Sequence, residues 1–289
     1  MPAPQPRLLY VTDLAYPARG RRYCDEDIFL TSRLREGADG GHGGFDIALC
    51  HPLDAAALME SFDAVVVRNS GPVLRYQDRY DAFRELAVRR GTRVYNELTG
   101  RADMAGKQYL PDLTAAGLPV IPTVDRAADL DRLPGPDAYA EYVVKPKLGA
   151  DSIGLRFLPY DALGEALRAA GPGTLLVQPR IPFRYEVSFY FVDGAFQYAL
   201  YAPRPEERWV LEPYAPTAAD LEFAQRFVDW NTVGHGIQRV DACRAPGGEL
   251  LLVELEDLNP YLSLDLLAEP ARESFVAAFA AALHRLLDS

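Results

Sequence analysis

Two glutamates spaced two apart, Glu254 and Glu256, continue an apolar run in the stretch ELLLVELEDLNP, residues 249–260. Residues i and i+2 of an extended chain share a face, so the two carboxylates stand side by side while Val253 and Leu255 turn the other way. Like charges repel, and burial makes each more costly; either a cation sits between them or the face is open to water. Lys145 poses the complementary problem at the end of the apolar stretch YVVKP, where a lysine is seldom placed without an anionic partner. The loop after it, KLGADSIG (147–154), offers backbone N–H groups around Gly149 and Gly154, a geometry suited to phosphate oxygens. A snorkelling lysine and an ordinary hairpin loop are the plain alternatives.

Other residues stand where strand ends bring chemistry together. Arg68 and Asn69 directly follow AVVV (64–67), and ligands of parallel α/β sheets gather at the carboxyl ends of strands; a surface role is the alternative. With the acidic run Asp25–Asp27, Arg68 would suit a zwitterion, the arginine taking a carboxylate and the acids an ammonium group. An acidic helix start is equally ordinary dipole compensation. In VQPRI, the strand changes direction at Pro179 and could present backbone groups of Gln178 to Ile181 to an adenine edge.

The elements that must position these residues follow from periodicity. LLYVTD, FDIALC, FDAVVVRN and TRVYN read as four short buried strands, with helices over DEDIFLTSRLRE and DRYDAFRELAVRR, so residues 1–95 alternate as a parallel α/β domain does. MAGKQYLPDLTAAGLPVIPT reads as a helix ended by Gly117 and followed by a short strand. YVVKPKLGADSIGLRFL is strand, loop, strand; DALGEALRAA is a helix and TLLVQPRI a strand. The remainder, 183–289, holds a hairpin turning at Asp193-Gly194, a helix over 217–233, the strand pair GIQRVDAC and ELLLVELE, and a closing amphipathic helix. The expectation is an α/β and α+β chain with divisions at 1–95, 96–182 and 183–289.

Composition excludes several classes. A net charge of −11 over 289 residues argues against a partner held through a nucleic-acid backbone. No apolar run reaches the roughly 18 residues of a membrane span, and the first residues lack a signal-peptide core, so no membrane partner and a cytoplasmic location are expected. Cys24, Cys50 and Cys243 are odd in number and far apart, which suggests reduced, buried thiols. GRADMAGKQ (100–108) fails as a P-loop because five residues separate its glycines and Gln108 follows the lysine; the first strand leads into DLAYPARG, not a Rossmann glycine fingerprint.

The order of the signals is more specific than any one of them. Asn96 with Lys107, VVKP with its small-residue loop, VQPRI with Glu186 soon after, QRVDA, then VELEDLNP: this series resembles the ATP-grasp superfamily, nearest to the carboxylate-amine ligases of the glutathione synthetase-like group. VVVRN, VYN and GKQYLPDLTAAGLPVIPT also resemble the cycloserine ring-forming ligases, and the likeness spans about residues 7–268. It implies an ATP-grasp fold behind an N-terminal α/β domain, with ATP and Mg2+, or Mn2+ in its place, as cofactors. It also implies that Lys107 and Lys145 hold ATP phosphates, that Gly149, Ser152 and Gly154 belong to a covering loop, that Gln178, Pro179, Arg180 and Ile181 form the adenine hinge, and that Glu186 contacts ribose or the active site. Asp241, Glu254 and Glu256 would be the magnesium ligands, Arg239 would steady transferred phosphate or substrate, Asn259 would contact substrate or a metal, and Arg204 would contact substrate or phosphate, with an exposed loop arginine as the alternative. KLGADSIG has fewer glycines than many relatives, which puts its closure in question.

The activity so implied is ATP-dependent formation of an acyl phosphate on a small-molecule carboxylate, an amino acid or derivative, captured by an amine to give an amide, ADP and phosphate. An intramolecular ring closure uses the same residues. A small-molecule kinase and a non-catalytic ATP-binding protein are the rivals from other classes. His235, nearest of the four histidines to the site in sequence, reads as a solvated loop residue. An acidic ligase of this size is commonly a homodimer or tetramer.

Overall fold

The structure is a computed structural model that describes residues 5–15, 17–18, 21–22, 24–37, 44–68, 76–148, 154–258 and 260–289. Strand β1 (Arg7–Val11) is followed by a two-residue pair, β2 (Pro17–Ala18) and β3 (Arg21–Arg22), and then by α1 (Cys24–Glu36), β4 (Asp46–Cys50), a short α2 (Ala55–Leu58), β5 (Ala64–Val67), α3 (Gln77–Arg90) and β6 (Val94–Tyr95). The four longer-range strands form a parallel sheet in the order β4-β1-β5-β6. Every residue of AVVV is buried, as expected of a parallel strand covered on both faces. Helix α3 stops where Gly91 takes φ 63° and donates back to the last turn, the left-handed ending that glycine tolerates best.

The next helix is shorter than its sequence suggests. A single 3-10 turn, Asp103–Ala105, is broken by Gly106 at φ 83°, and α4 spans only Tyr109–Ala115. No full strand forms after Gly117. Val120 bridges to Leu252 and Val124 to Val177, so this segment crosses between two sheets with one bridge to each. Pro119 and Pro122 remove two donors from GLPVIPT, which prevents a continuous ladder.

Strands β7 (Tyr142–Pro146), β8 (Arg156–Leu158) and β9 (Leu175–Pro179) make an antiparallel sheet in the order β8-β7-β9, and α5 (Tyr160–Ala170), which precedes β9 in sequence, lays Leu163 and Leu167 on its core. The hairpin β10 (Tyr185–Val192) and β11 (Ala195–Ala202) leads to the short β12 (Glu212–Pro213), α6 (Ala218–Asn231), β13 (Ile237–Arg244) and β14 (Leu250–Glu256). These strands form a five-stranded antiparallel sheet, β12-β11-β10-β13-β14. Thr217 and Asp220 start α6 with a reciprocal capping box.

One face of the five-stranded sheet buries Val187, Phe189, Val240, Leu252 and Leu255 with Leu110 of α4 and Phe227 of α6. The closing helix α7 (Glu269–Asp288) packs Phe275, Phe279 and Leu283 with Tyr10 of the parallel sheet and Tyr190 of β10. Each such fully buried side chain is worth about 1.5–3 kcal/mol relative to exposure, so α7 fastens the first sheet to the last.

Candidate active site

Register decides which side chains meet. Across β13 and β14, Arg239 lies opposite Glu256 and Asp241 opposite Glu254, with a bulge just after Asp241; across β13 and β10, Ser188 lies opposite Asp241 and Tyr190 opposite Arg239. Alternation then puts Glu186, Ser188, Arg239, Asp241, Glu254 and Glu256 on one face, the face turned away from Val187, Val240 and Leu255. Asp241, Glu254 and Glu256 each offer an oxygen within 4.8 Å of the others. Among the described residues this is the one metal-compatible cluster of three or more such side chains.

The carboxylates are already neutralised by the chain's own cations. Arg239 donates to Asp241 at 2.8 and 2.9 Å, to Glu256 at 2.6 Å and to the Tyr261 carbonyl at 3.0 Å. Ser188 donates to Asp241 at 2.6 Å, and Lys107 bonds to Glu254. Burial pushes the Glu256 carboxyl up to about 8, against the pull of Arg239 and with the push of Asp241. Three hard oxygen donors converging on one point, one of them costly to leave charged, are a donor set that suits magnesium.

Lys107 is delivered by a reciprocal lock. The Asp257 carboxylate accepts from the Ala102 and Met104 amides and from Asn231, while the Asp103 carboxylate accepts from the Asp257 and Leu258 amides. Burial and Asp257 push the Asp103 carboxyl well above the usual range. Gly100 has no space for a side chain, since a Cβ there would lie 2.2 Å from Asp257 Oδ2. The turn before Lys107 is thus fastened to the residues just after Glu256.

Beside this cluster a cleft of about 700 Å³ opens between the three- and five-stranded sheets. Lys107, Lys145, Glu186 and Glu254 line it together with apolar Ile121, Val143, Phe157, Ile181 and Phe183. Burial, with Lys107 and Arg208 close by, lowers the Lys145 ammonium to about 7 against the opposing pull of Glu186. Gln178, Pro179, Arg180 and Ile181 all border the cleft. The Gln178 side chain is turned to Thr123 at 2.8 Å, and the Arg180 guanidinium stacks over Phe157 at 4.6 Å while pairing with Glu141. Gly154 takes φ 77° beside Pro146.

Two expected placements differ. Arg204 is not brought to the cluster: its side chain is 52% exposed and pairs with Glu207 three residues on, whereas Arg208 lines the cleft and donates to Glu186 at 2.7 Å. Arg68 is 1% exposed and donates to Asp27 at 3.1 Å and to the Pro260 carbonyl at 2.8 Å, with Glu26 at 3.8 Å. Arginine and acids therefore neutralise each other instead of dividing a zwitterion between them; burial pushes Glu26 up to about 7 against Arg68. Asn69, Gly149, Ser152 and Asn259 lie outside the described residues. His235, at 3.5 Å from Asp193, sits beside the β10–β11 turn.

Sequence reasoning missed Arg208, Ser188 and the Asp103–Asp257 lock. Ser188 was within reach: YEVSFYF sets one serine among aromatic and aliphatic side chains, two positions from Glu186 and so on its face. Arg208 in PRPEER carries no periodicity that separates it from Arg204.

No family model matches the chain. It is 27% identical to the cycloserine biosynthesis protein DcsG of Streptomyces lavendulae over 76% of this chain and 84% of that protein. Its fold matches the crystal structure of D-cycloserine synthetase DcsG with TM-score 0.72 and 23% identity, covering 97% of this chain and 99% of that one. It also matches D-alanine–D-alanine ligase of Bacillus anthracis complexed with ATP (TM-score 0.64, 13% identity, 98% and 97% covered). The ATP-grasp ligase PsnB complexed with minimal precursor, Mg and ADP matches as well (TM-score 0.62, 15% identity, 98% of both chains). The fold is that of the ATP-grasp ligases, and the likeness read from the order of sequence signals stands.

Proposed function

We propose that this chain, built on the ATP-grasp fold, is an ADP-forming ligase that activates a carboxylate with ATP and joins it to an amine-type nucleophile. The observation that carries the reading is the convergence of Lys107, Arg239 and three carboxylates at one end of a cleft that also holds Lys145. At about 700 Å³, with Val143, Phe157 and Ile181 in its wall, the cleft has apolar room for a nucleotide base, with residues 96–182 and 183–289 as its two jaws and 1–95 as the domain that closes the substrate end. The reaction runs in the cytoplasm on a small molecule or a peptide.

The chain's own residues do four things. Gln178, Pro179, Arg180 and Ile181 present backbone to the adenine, while Val143 and Phe157 cover its faces. Glu186, held by Arg208, stands at the ribose. Lys107 and Lys145 bind phosphate oxygens, and excluding water from the reactive intermediate is the role we assign to Gly149, Ser152 and Gly154. Arg239, whose guanidinium is already oriented by Tyr261, meets the charge that builds on the transferred phosphoryl group and on the acyl phosphate, so that positioning and charge neutralisation carry the transfer. Asp241, Glu254 and Glu256 would hold Mg2+, or Mn2+ in its place, which would supply charge compensation for the phosphates. Asn69 and Asn259 are left as substrate contacts.

The sequence likeness to DcsG over most of both chains favours ring closure within one substrate as a second reading. The test is ADP and phosphate release from Mg·ATP against amino acids, small carboxylates and short peptides, each with and without an added amine, beside Glu256→Gln. Phosphate released in step with ADP and dependent on one carboxylate supports the ligase, and independence from the amine selects ring closure. ADP without phosphate would make the protein a kinase.

A further inference from the structure

Beyond β14 the chain runs irregularly through 260–263 into a 3-10 turn, Leu264–Leu266, and its buried polar groups need partners that no ladder supplies. Side chains supply them. Arg68 Nη1 donates to the Pro260 carbonyl at 2.8 Å, Arg239 Nη1 to the Tyr261 carbonyl at 3.0 Å, and the Tyr198 hydroxyl to the Leu262 carbonyl at 2.7 Å. The two oxygens of Glu26 accept the Leu262 and Leu264 amides at 2.8 and 3.0 Å. Between them Ser263 is held at φ 52°, a left-handed conformation that a non-glycine residue keeps only when its surroundings enforce it.

The segment is therefore gripped from two sides. Glu26 on α1 and Arg68 after β5 belong to the parallel sheet's layer; Arg239 belongs to β13, on the proposed phosphate site. The carbonyl that orients Arg239 lies between the carbonyl held by Arg68 and the amide held by Glu26.

We propose that Glu26 and Arg68 are positioning residues for Arg239: they fix the 260–264 backbone so that the Tyr261 carbonyl aims the guanidinium. The inference rests on the ligase reading for Arg239's task, and it turns two residues whose charges suggest substrate binding into the link between the N-terminal layer and phosphoryl transfer. Asp27 completes the unit by accepting from Arg68, from Tyr10 at 3.1 Å and from Thr12 at 2.5 Å, which keeps the buried guanidinium compensated.

Arg68→Met would strand buried carboxylates and risks misfolding, so the near-isosteric Glu26→Gln carries the test. Titration with Mg·ADP, and with Mg·ADP plus orthovanadate as a stand-in for the transferred phosphoryl group, separates the hold on the nucleotide from that of Arg239. Glu26→Gln should lose about tenfold of the vanadate-dependent tightening with Mg·ADP affinity within about twofold of wild type. Arg239→Lys, which keeps a charge but not the guanidinium geometry that meets the Tyr261 carbonyl, should lose part of the tightening, and adding Glu26→Gln to it should cost nothing more, because residues acting as one unit are not additive. Additive losses, or tightening intact in Glu26→Gln, overturn the proposal. Amide exchange without nucleotide is the second arm: Leu262 and Leu264 should exchange at least about tenfold faster in Glu26→Gln, and unchanged protection overturns the clamp. A wild-type chain that binds no Mg·ADP would instead overturn the ligase reading, while the exchange arm still decides whether Glu26 holds the segment.

Discussion

The ammonium group of Lys107 rests on the carboxylate of Glu254, 147 residues further along the chain. With Arg239 on Asp241 and Glu256, this leaves all three acidic groups of the cluster compensated before any ligand arrives. On the proposed function a divalent ion would have to displace the lysine, and nucleotide phosphates would draw it away. Lys107→Met should therefore bind Mn2+ more tightly than wild type in the absence of nucleotide, by roughly tenfold or more, since a unit charge a few ångströms away repels by several kcal/mol at a near-surface dielectric. Electron paramagnetic resonance titration measures it; equal affinities would show that Lys107 does not mask the site.

Glu256→Gln keeps the shape and an oxygen that can accept from Arg239, but it cannot ionise to the carboxylate that a metal ion would need. Turnover of Mg·ATP should fall at least ~100-fold, as for loss of a metal-orienting group, with the unfolding transition little changed. A variant with the wild-type rate would remove Glu256 from the metal site.

On the proposed function Lys145 should give nucleotide affinity a pH dependence. In the free protein its ammonium is lowered to about 7, chiefly by burial; phosphate beside it favours the charged form. Above pH 7 the complex thus holds more protons than the free protein, binding takes one up, and affinity declines as pH rises through about 7. The pH profile of kcat/KM for ATP should show this alkaline limb, and Lys145→Arg, which stays charged, should flatten it. A limb that survives in Lys145→Arg assigns the titration elsewhere.

Arg204 and Arg208 should separate cleanly. Arg204→Ala breaks an exposed pair with Glu207, worth about 0–1 kcal/mol, and should leave the ATP dependence within about twofold. Arg208→Ala releases Glu186 at the cleft wall and should raise the ATP concentration for half-saturation by roughly tenfold, the scale of one charge-assisted hydrogen bond. The reverse ranking would restore Arg204 as the phosphate contact.

Gly100→Ala tests the lock behind Lys107. A Cβ placed 2.2 Å from Asp257 Oδ2 and 2.9 Å from its Cγ must push the carboxylate off the Ala102 and Met104 amides, at a cost of about 1–3 kcal/mol. Urea unfolding measures it. Stability equal to wild type would mean that the turn shifts freely.

Much of the fold is legible because its signals are local. AVVV, LLLVELE and the Asp193-Gly194 turn each carry their periodicity or turn chemistry within a few residues. What fails is where two distant sheets share one segment: GLPVIPT reads as a strand, yet two prolines and single bridges to Leu252 and Val177 make it a crossing link. At the site, alternation along β13 and β14 already predicts that Arg239 and Asp241, and Glu254 and Glu256, pair on common faces. It does not predict that Arg68 turns inward, because a strand-end arginine looks the same whether its partner is a ligand or a buried aspartate 41 residues away.

The sequence by itself determined the strand order signals, the acidic pair and the lysines, since each depends on residue type and on the two-residue or helical repeat of one element. Only the tertiary structure decided which charges meet: Lys107 with Glu254, Arg208 in place of Arg204, and Glu26 and Arg68 with the backbone of 260–264. Electrostatic pairing depends on distance through space and on exclusion of water, and neither is written in the spacing of residues along a chain.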